Sequence, residues 1–457
     1  MNFTDFFSNT KSLMKLTYPI LIAQLIQVLM GFADTVMAGR VSATDMAAVA
    51  VASSVWLPLI IAISGLIMAL ASIVSQLSGA KQYSEVAKAS YQTAWIALFF
   101  STLIIVLYYV ISPVLINSVS LEPELKRLMF EYLEFIVWGG PGYCLYLVLR
   151  NYSEGLSHSR PTMIISVLGL MINIPANYIF IYGEFGVPAM GGAGCGIATA
   201  IVYWVMFLGM LAYSYFSKHL KHAPVFNHFY WPNWQQIKSI LSLGIPIAFS
   251  LLFEVSLFAA IAILLAPFGA NIVASHQIAI NFSSLVFMVP LSLAMAVTIK
   301  VGFEVGNNNL EKAKERCQYS ILLGLFLAVG TAAITILFNH QIAAIYSTDQ
   351  DVLTLAANLM LLASLFQFSD SIQVITTGAL RGYKDTKSIL LITFFSYWVI
   401  GLSLGVILGI TDWIVPAIGA YGFWIGVIAG LTVAAILLTV RLKVVQKRFD
   451  EQAGLPQ

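Results

Sequence analysis

MAAVAVASSVWLPLIIAISGLIMALASIVSQL, residues 46–77, contains no Lys, Arg, Asp, Glu or His. A hydrocarbon core about 30 Å thick is crossed by about 20 mostly apolar residues in a helix. This stretch is longer than that, and water is no solvent for it. It reads as a membrane span. Eleven more stretches of the same kind follow from it in both directions: 13–37, 90–112, 128–150, 161–183, 191–217, 238–267, 273–299, 317–338, 352–380, 387–409 and 416–440. Most exceed the minimum length, so tilt or extension past the lipid is expected. The whole chain agrees with this reading. It is 59% hydrophobic and 10% charged, whereas a soluble domain carries about 25% charged residues.

Loop charge tests the count. With both termini cytoplasmic, only Arg40, Lys126 and Arg127 of the 23 Lys and Arg fall outside, and the other 20 fall inside. A bias of that size follows the positive-inside rule, and one missed or invented span would scramble it. The first apolar segment lacks the pattern of a cleavable signal and reads as a retained helix. There is no long basic run, so nucleic acid is not an expected partner. Cys144, Cys195 and Cys317 form no CxxC pair, and neither a disulfide framework nor a zinc site is suggested.

The chain also repeats itself. LRNYSEG (149–155) matches LRGYKDT (380–386), and VPAMGGAGCGIATA (187–200) matches VPAIGAYGFWIGVIAG (415–430). TYPILIAQL (17–25) matches GIPIAFSLL (244–252), with Pro19 opposite Pro246, and SGAKQYSEVAKA (78–89) matches VGNNNLEKAKER (305–316). The offsets are about 226–231 residues, half the chain. Six spans are thus duplicated, and because six is even both copies enter the membrane from the same side. Parallel repeats of this kind bind substrate between their halves. The fold expected is all-α and integral to the membrane, with twelve transmembrane helices in two six-helix repeats around a central cleft. The lobes are expected at 1–222 and 223–457, joined by SKHLKHAPVFNHFYWPNW (217–234). His219, His222 and His228 in that linker read as residues of a solvated loop rather than metal ligands.

Three acids fall inside spans: Asp34, Glu254 and Asp370. A charged side chain at the centre of a membrane helix costs about 2.5–3.5 kcal/mol on insertion scales. No Lys or Arg is expected deep in a span to pair with them, so each is expected to be neutralised or to bind a cation. Asn173 and Asn177 share one helix face, and with Thr199 they lie at the depth of Asp34. The second half offers Gln367, Ser369 and Ser371 near Asp370, and His276, Gln277, Asn281, Ser283 and Ser284 in span 8. His276 reads as a satisfied bundle histidine. Prolines at 19, 58, 141, 175, 246 and 290 fall within spans, where each removes a backbone hydrogen bond and permits a bend. HExxH, Walker A and GxSxG motifs are missing, so catalysis and nucleotide-driven transport have no support. GGAGCG (191–196) fails GxGxxG and reads as a close helix-packing seam. No cofactor is expected, only a transported ion.

FADTVMAGR (32–40), NIPANYIFIYG (173–183), FEVSLF (253–258) and SDSIQVITTGALRGYKDTK (369–387) resemble the NorM-type subgroup of the multidrug and toxic compound extrusion (MATE) family, over about residues 10–445. The resemblance implies two six-helix lobes and antiport of small organic cations, such as dyes and fluoroquinolone-like drugs, against Na⁺ or H⁺. It implies a bacterial inner membrane, and a monomer is expected. It places the cation-coupling acids on Glu254, Asp370 and Asp34, and the polar cluster of the first lobe on Asn173, Asn177 and Thr199. Na⁺ is one candidate occupant of Asp370 and Glu254, and Gln277, Gln367 and Asn281 are candidate substrate or ion contacts. Some family members carry a second carboxylate where this chain has Asn177, so Glu254 and Asp370 are expected to be the stronger coupling site; some carry a tyrosine where it has Gln367, which leaves the coordination around Asp370 open. The alternative is a lipid or lipid-linked precursor flippase of the same superfamily. It needs a strongly cationic cleft, which the deep acids oppose.

Overall fold

The computed structural model describes residues 3–118 and 121–453. Every expected span is a helix: α1 (Phe3–Gly39), α2 (Ala43–Gly79), α3 (Tyr83–Ser118), α4 (Pro123–Gly155), α5 (Arg160–Tyr182), α6 (Ala193–Phe216), α7 (Trp234–Leu265), α8 (Ala270–Gly306), α9 (Leu310–Tyr346) and α10 (Gln350–Gly382), then α11 (Thr386–Gly409) and α12 (Ala420–Gln452). No strand occurs among the described residues. The termini Met1 and Gln457, whose side was expected from charge, lie outside them.

Several helices overrun the hydropathy windows because their ends are polar but still helix-forming. α12 continues through KVVQKRFDEQ, beyond the expected residue 440, with Lys447 four residues before Glu451 at 4.0 Å. Its start is later than expected, since Pro416 and Gly419, at φ +58°, hold the preceding segment out of the helix. Side chains fix other starts. Ser42 caps α2 by accepting from Asp45 N at 3.0 Å, and Asp349 caps α10 by accepting from the amides of Asp351 and Val352. Inside α11, residues Phe395–Leu402 form a π-helical stretch. Nothing in the spacing of the sequence predicted it, and such widenings often sit at functional sites.

Two compact units emerge. One is Ile22–Ala248, and the other is α1 up to Leu21 together with the chain from Phe249 onward. The boundary expected at 222/223 follows the repeat, whereas the compact division runs through α1 and α7, a few residues past Pro19 and Pro246. The linker belongs to the first unit. Ala223 O accepts from the Tyr152 hydroxyl at 2.7 Å, Trp231 O from Gln92 at 2.9 Å, and Tyr230 O from the Trp95 indole at 3.1 Å. It is therefore a strap packed on α3 and α4.

The two units pack alike. In the first, α4 touches α2, α3 and α6, and in the second its repeat partner α10 touches α8, α9 and α12. Glycines allow the close approach. A Cβ on Gly194 would meet the Phe180 backbone at 2.6 Å, one on Gly196 the Tyr132 carbonyl oxygen at 2.6 Å, and one on Gly426 the Gly401 carbonyl oxygen at 2.4 Å. The GGAGCG stretch is a packing seam, as its apolar context predicted.

Candidate cation sites

In the first unit, Asp34 on α1 is buried. Asn173 and Asn177, one turn apart on α5, both donate to its Oδ1, at 3.1 and 2.6 Å. Thr199 on α6 donates to Oδ2 at 3.0 Å. The amide of Asn177 also donates to Asn173 Oδ1 at 3.2 Å. The four residues, expected at one depth, are joined in one network. The partners turn donors toward the carboxylate. Donors hold a carboxylate well, but a hard cation needs oxygen ligands.

The second unit holds a different kind of site. Asp370 on α10 is buried, yet no protein donor bonds to its carboxylate among the described residues. A small cavity beside it, with room for about one water-sized particle, is lined by Asp370, Gln367, Ser371, Ser283, Thr331 and Gly324, among apolar neighbours. Two of these polar groups have unused valences. Gln367 donates to Thr335 Oγ1 at 3.0 Å but leaves Oε1 buried without a partner, and Ser283 Oγ is likewise unpartnered. Glu254 on α7 is close enough for its charge to act on Asp370. A half-buried acid, a buried acid and two idle oxygens make a cation-seeking constellation.

Gln277 and Asn281 lie apart from this cavity. They share an exposed face of α8 and bond to each other at 3.3 Å, while Ser283 and Pro290 face the Asp370 cavity. His276 accepts from the Trp424 indole at 3.2 Å, the bundle role expected of it. In the linker His219 stacks 5.6 Å from His158 and His222 lies 5.6 Å from Tyr83, and no group of metal-ligating side chains forms among the described residues.

Two participants escaped the sequence reading. Arg381, one residue past the expected end of its span at 380, is buried in the last turn of α10 and within electrostatic reach of Glu254. That corrects the expectation that no basic side chain approaches the deep acids. A long side chain on the final turn can point back into the bundle, which span boundaries do not reveal. Tyr397, on the π-helical stretch, feels the charges of Glu254, Asp370 and Arg381, and its hydroxyl is buried without a partner.

A family model described as MatE matches the chain twice, at residues 19–179 and 246–407. The "Probable multidrug resistance protein NorM" of Shewanella oneidensis is 52% identical over 437 residues, 96% of this chain and 95% of that protein. The "Multidrug resistance protein MdtK" of Yersinia pseudotuberculosis is 50% identical over 438 residues, covering 96% of each. Among solved structures, the outward-facing conformation of a multidrug resistance MATE family transporter of the MOP superfamily superposes with a TM-score of 0.86 at 23% identity, over 97% of each chain. The eukaryotic MATE transporter AtDTX14 gives a TM-score of 0.85 at 19% identity, over 98% of this chain and 99% of that one. At those identities the likeness is one of fold.

Proposed function

The chain belongs to the MatE family, and from that premise we propose that this multidrug efflux transporter exports small organic cations in antiport with Na⁺ or H⁺, the ion binding at Asp370 and Glu254. The observation that carries the reading is Asp370 itself. It is buried, it accepts no hydrogen bond from the described residues, and it borders a small cavity with two idle oxygens. A buried carboxylate left so is stabilised by taking up a cation. Asp34 is the second acid of the mechanism, already held by three donors.

The cycle needs only differential affinity for two states. Ion loading at Asp370 from the outer face favours the state that releases drug outward, and ion release to the cytoplasm restores the state that accepts drug. The termini lie in the cytoplasm and the membrane is the bacterial inner membrane. No nucleotide or other cofactor enters the cycle, and a single chain performs it. The flippase alternative is not favoured, since the named relatives are multidrug resistance proteins and the site is acidic.

The test is ethidium transport in proteoliposomes under an imposed sodium gradient and, separately, a pH gradient. One gradient should drive uphill transport in wild type and fail in Asp370→Asn. Intact ion-driven transport in that variant would overturn the mechanism.

A further inference from the structure

The repeated motif carries an asymmetry. In LRNYSEG, Arg150 donates through Nε to Glu154 Oε1 at 2.8 Å, four residues on, and both side chains are buried. Gln24 on α1 adds a contact to Arg150 Nη1 at 3.4 Å. This arginine is neutralised within its own helix. In LRGYKDT the equivalents are Arg381 and Asp385. There α10 ends at Gly382, so Asp385 lies beyond the helix. It is held instead by Arg441 of α12, whose Nε and Nη2 donate to it at 2.6 and 3.2 Å. Arg381 has lost its local carboxylate. Its Nε is buried without a hydrogen-bond partner, and the acid within its reach is Glu254.

The helix that carries the acid completes the comparison. Aligning Pro19 with Pro246 puts Gln27 opposite Glu254. The unit with a self-paired arginine has a neutral residue at this position. The unit with an unpaired arginine has a carboxylate there.

We propose that Arg381 is the resident counter-cation of the Glu254–Asp370 site, a positioning residue that sets how many coupling cations the site takes. Two carboxylates and one guanidinium leave one negative charge, so the site binds a single monovalent cation per cycle. Arg381 opposes a second cation electrostatically. This rests on the cation-site reading of Glu254 and Asp370 given above.

The test compares Arg381→Gln, Arg381→Met and Arg381→Lys with wild type in proteoliposomes. The readouts are ethidium flux, the cation concentration giving half-maximal rate, and cations moved per ethidium, for whichever of Na⁺ and H⁺ drives wild type. Removing this unit charge is expected to lower the half-maximal concentration by about tenfold. In the Gln and Met variants the cations moved per ethidium should rise by one, while Lys keeps the wild-type count. Met fills similar space without charge, so it stands in where Gln does not fold. Thermal melting in detergent gives a readout free of transport: the neutral variants should be stabilised by added cation more than wild type is. Wild-type counts and melting responses in both neutral variants would overturn the proposal with the cation site intact. A wild type indifferent to both cations would remove the site and this inference together.

Discussion

Asp34 and Asp370 are both buried aspartates in duplicated halves of one chain, yet their surroundings are opposite. Three donors close around Asp34. Among the described residues none reaches Asp370, which borders a cavity with idle oxygens. The arginine motifs differ in the same sense, since Arg150 is paired with Glu154 while Arg381 is not paired with Asp385. The first unit gives each of these charges a partner of its own, although Arg150 Nη2, Glu154 Oε2 and Asn177 Oδ1 stay buried without one. In the second the open valences belong to residues that line a cavity with the carboxylate, where a transported ion could sit on the proposed reading. Duplication supplies two copies of a scaffold, and small changes in who pairs with whom give the two copies different sites.

The contrast breaks most sharply at the acids. Asp370→Asn should abolish ion-driven ethidium efflux in proteoliposomes while leaving the thermal midpoint of the purified protein unchanged or raised, because no donor among the described residues loses a partner. A collapse in stability with retained coupling would show that Asp370 is a structural residue, and the comparison would fail.

The arginine pairs separate by burial. Glu154→Gln strands a guanidinium whose side chain is 4% exposed, and breaking a buried pair costs about 3–5 kcal/mol. Asp385→Asn removes the partner of Arg441, whose side chain is 26% exposed, and should cost about 1 kcal/mol. Denaturation of the two variants in the same detergent reads the difference. Equal losses would mean that the two copies of the motif are energetically alike despite their different partners.

Asp34→Asn sharpens the same point at lower cost. Its three donors lose a charged acceptor, worth about 1–3 kcal/mol, so its midpoint should fall where that of Asp370→Asn does not. A midpoint as high as that of Asp370→Asn would count against the view that Asp34 is held in place by its donors.

Much of this was legible in the chain. Twelve apolar windows, the charge bias of the loops and the half-chain offset carry the architecture, because lipid forces every backbone polar group into helices. The Asp34 network was legible too, since Asn173 and Asn177 stand one turn apart and the helical period puts them on one face. Arg381 was not. Its role depends on where α10 stops and on Arg441, 60 residues away, claiming Asp385. The motif pair 149–155 and 380–386 held the signal, but only partner geometry decodes it. The widened turn at Phe395–Leu402 and the packing of the linker onto α3 likewise follow from tertiary fit, which local pattern does not encode.

The turns that follow the two motifs offer the mildest test. After α10, the turn is tied by the Asp385–Arg441 pair. After α4, it carries His158, half-buried, with His219 and His222 nearby and its own carbonyl accepting from Ser153 at 2.7 Å. Burial first, then the charges of His219 and His222, push the imidazole of His158 below its ordinary 6.5. Its folded form therefore binds a proton less readily than the unfolded form. The stability it contributes is complete above about pH 6.5 and declines as pH falls through that value toward the lowered folded one. Thermal midpoints measured on either side of that window should drop on acidification in wild type and drop less in His158→Gln. The turn after α10 carries no histidine. Identical pH dependence in wild type and His158→Gln would move the acid sensitivity of the first unit away from this turn.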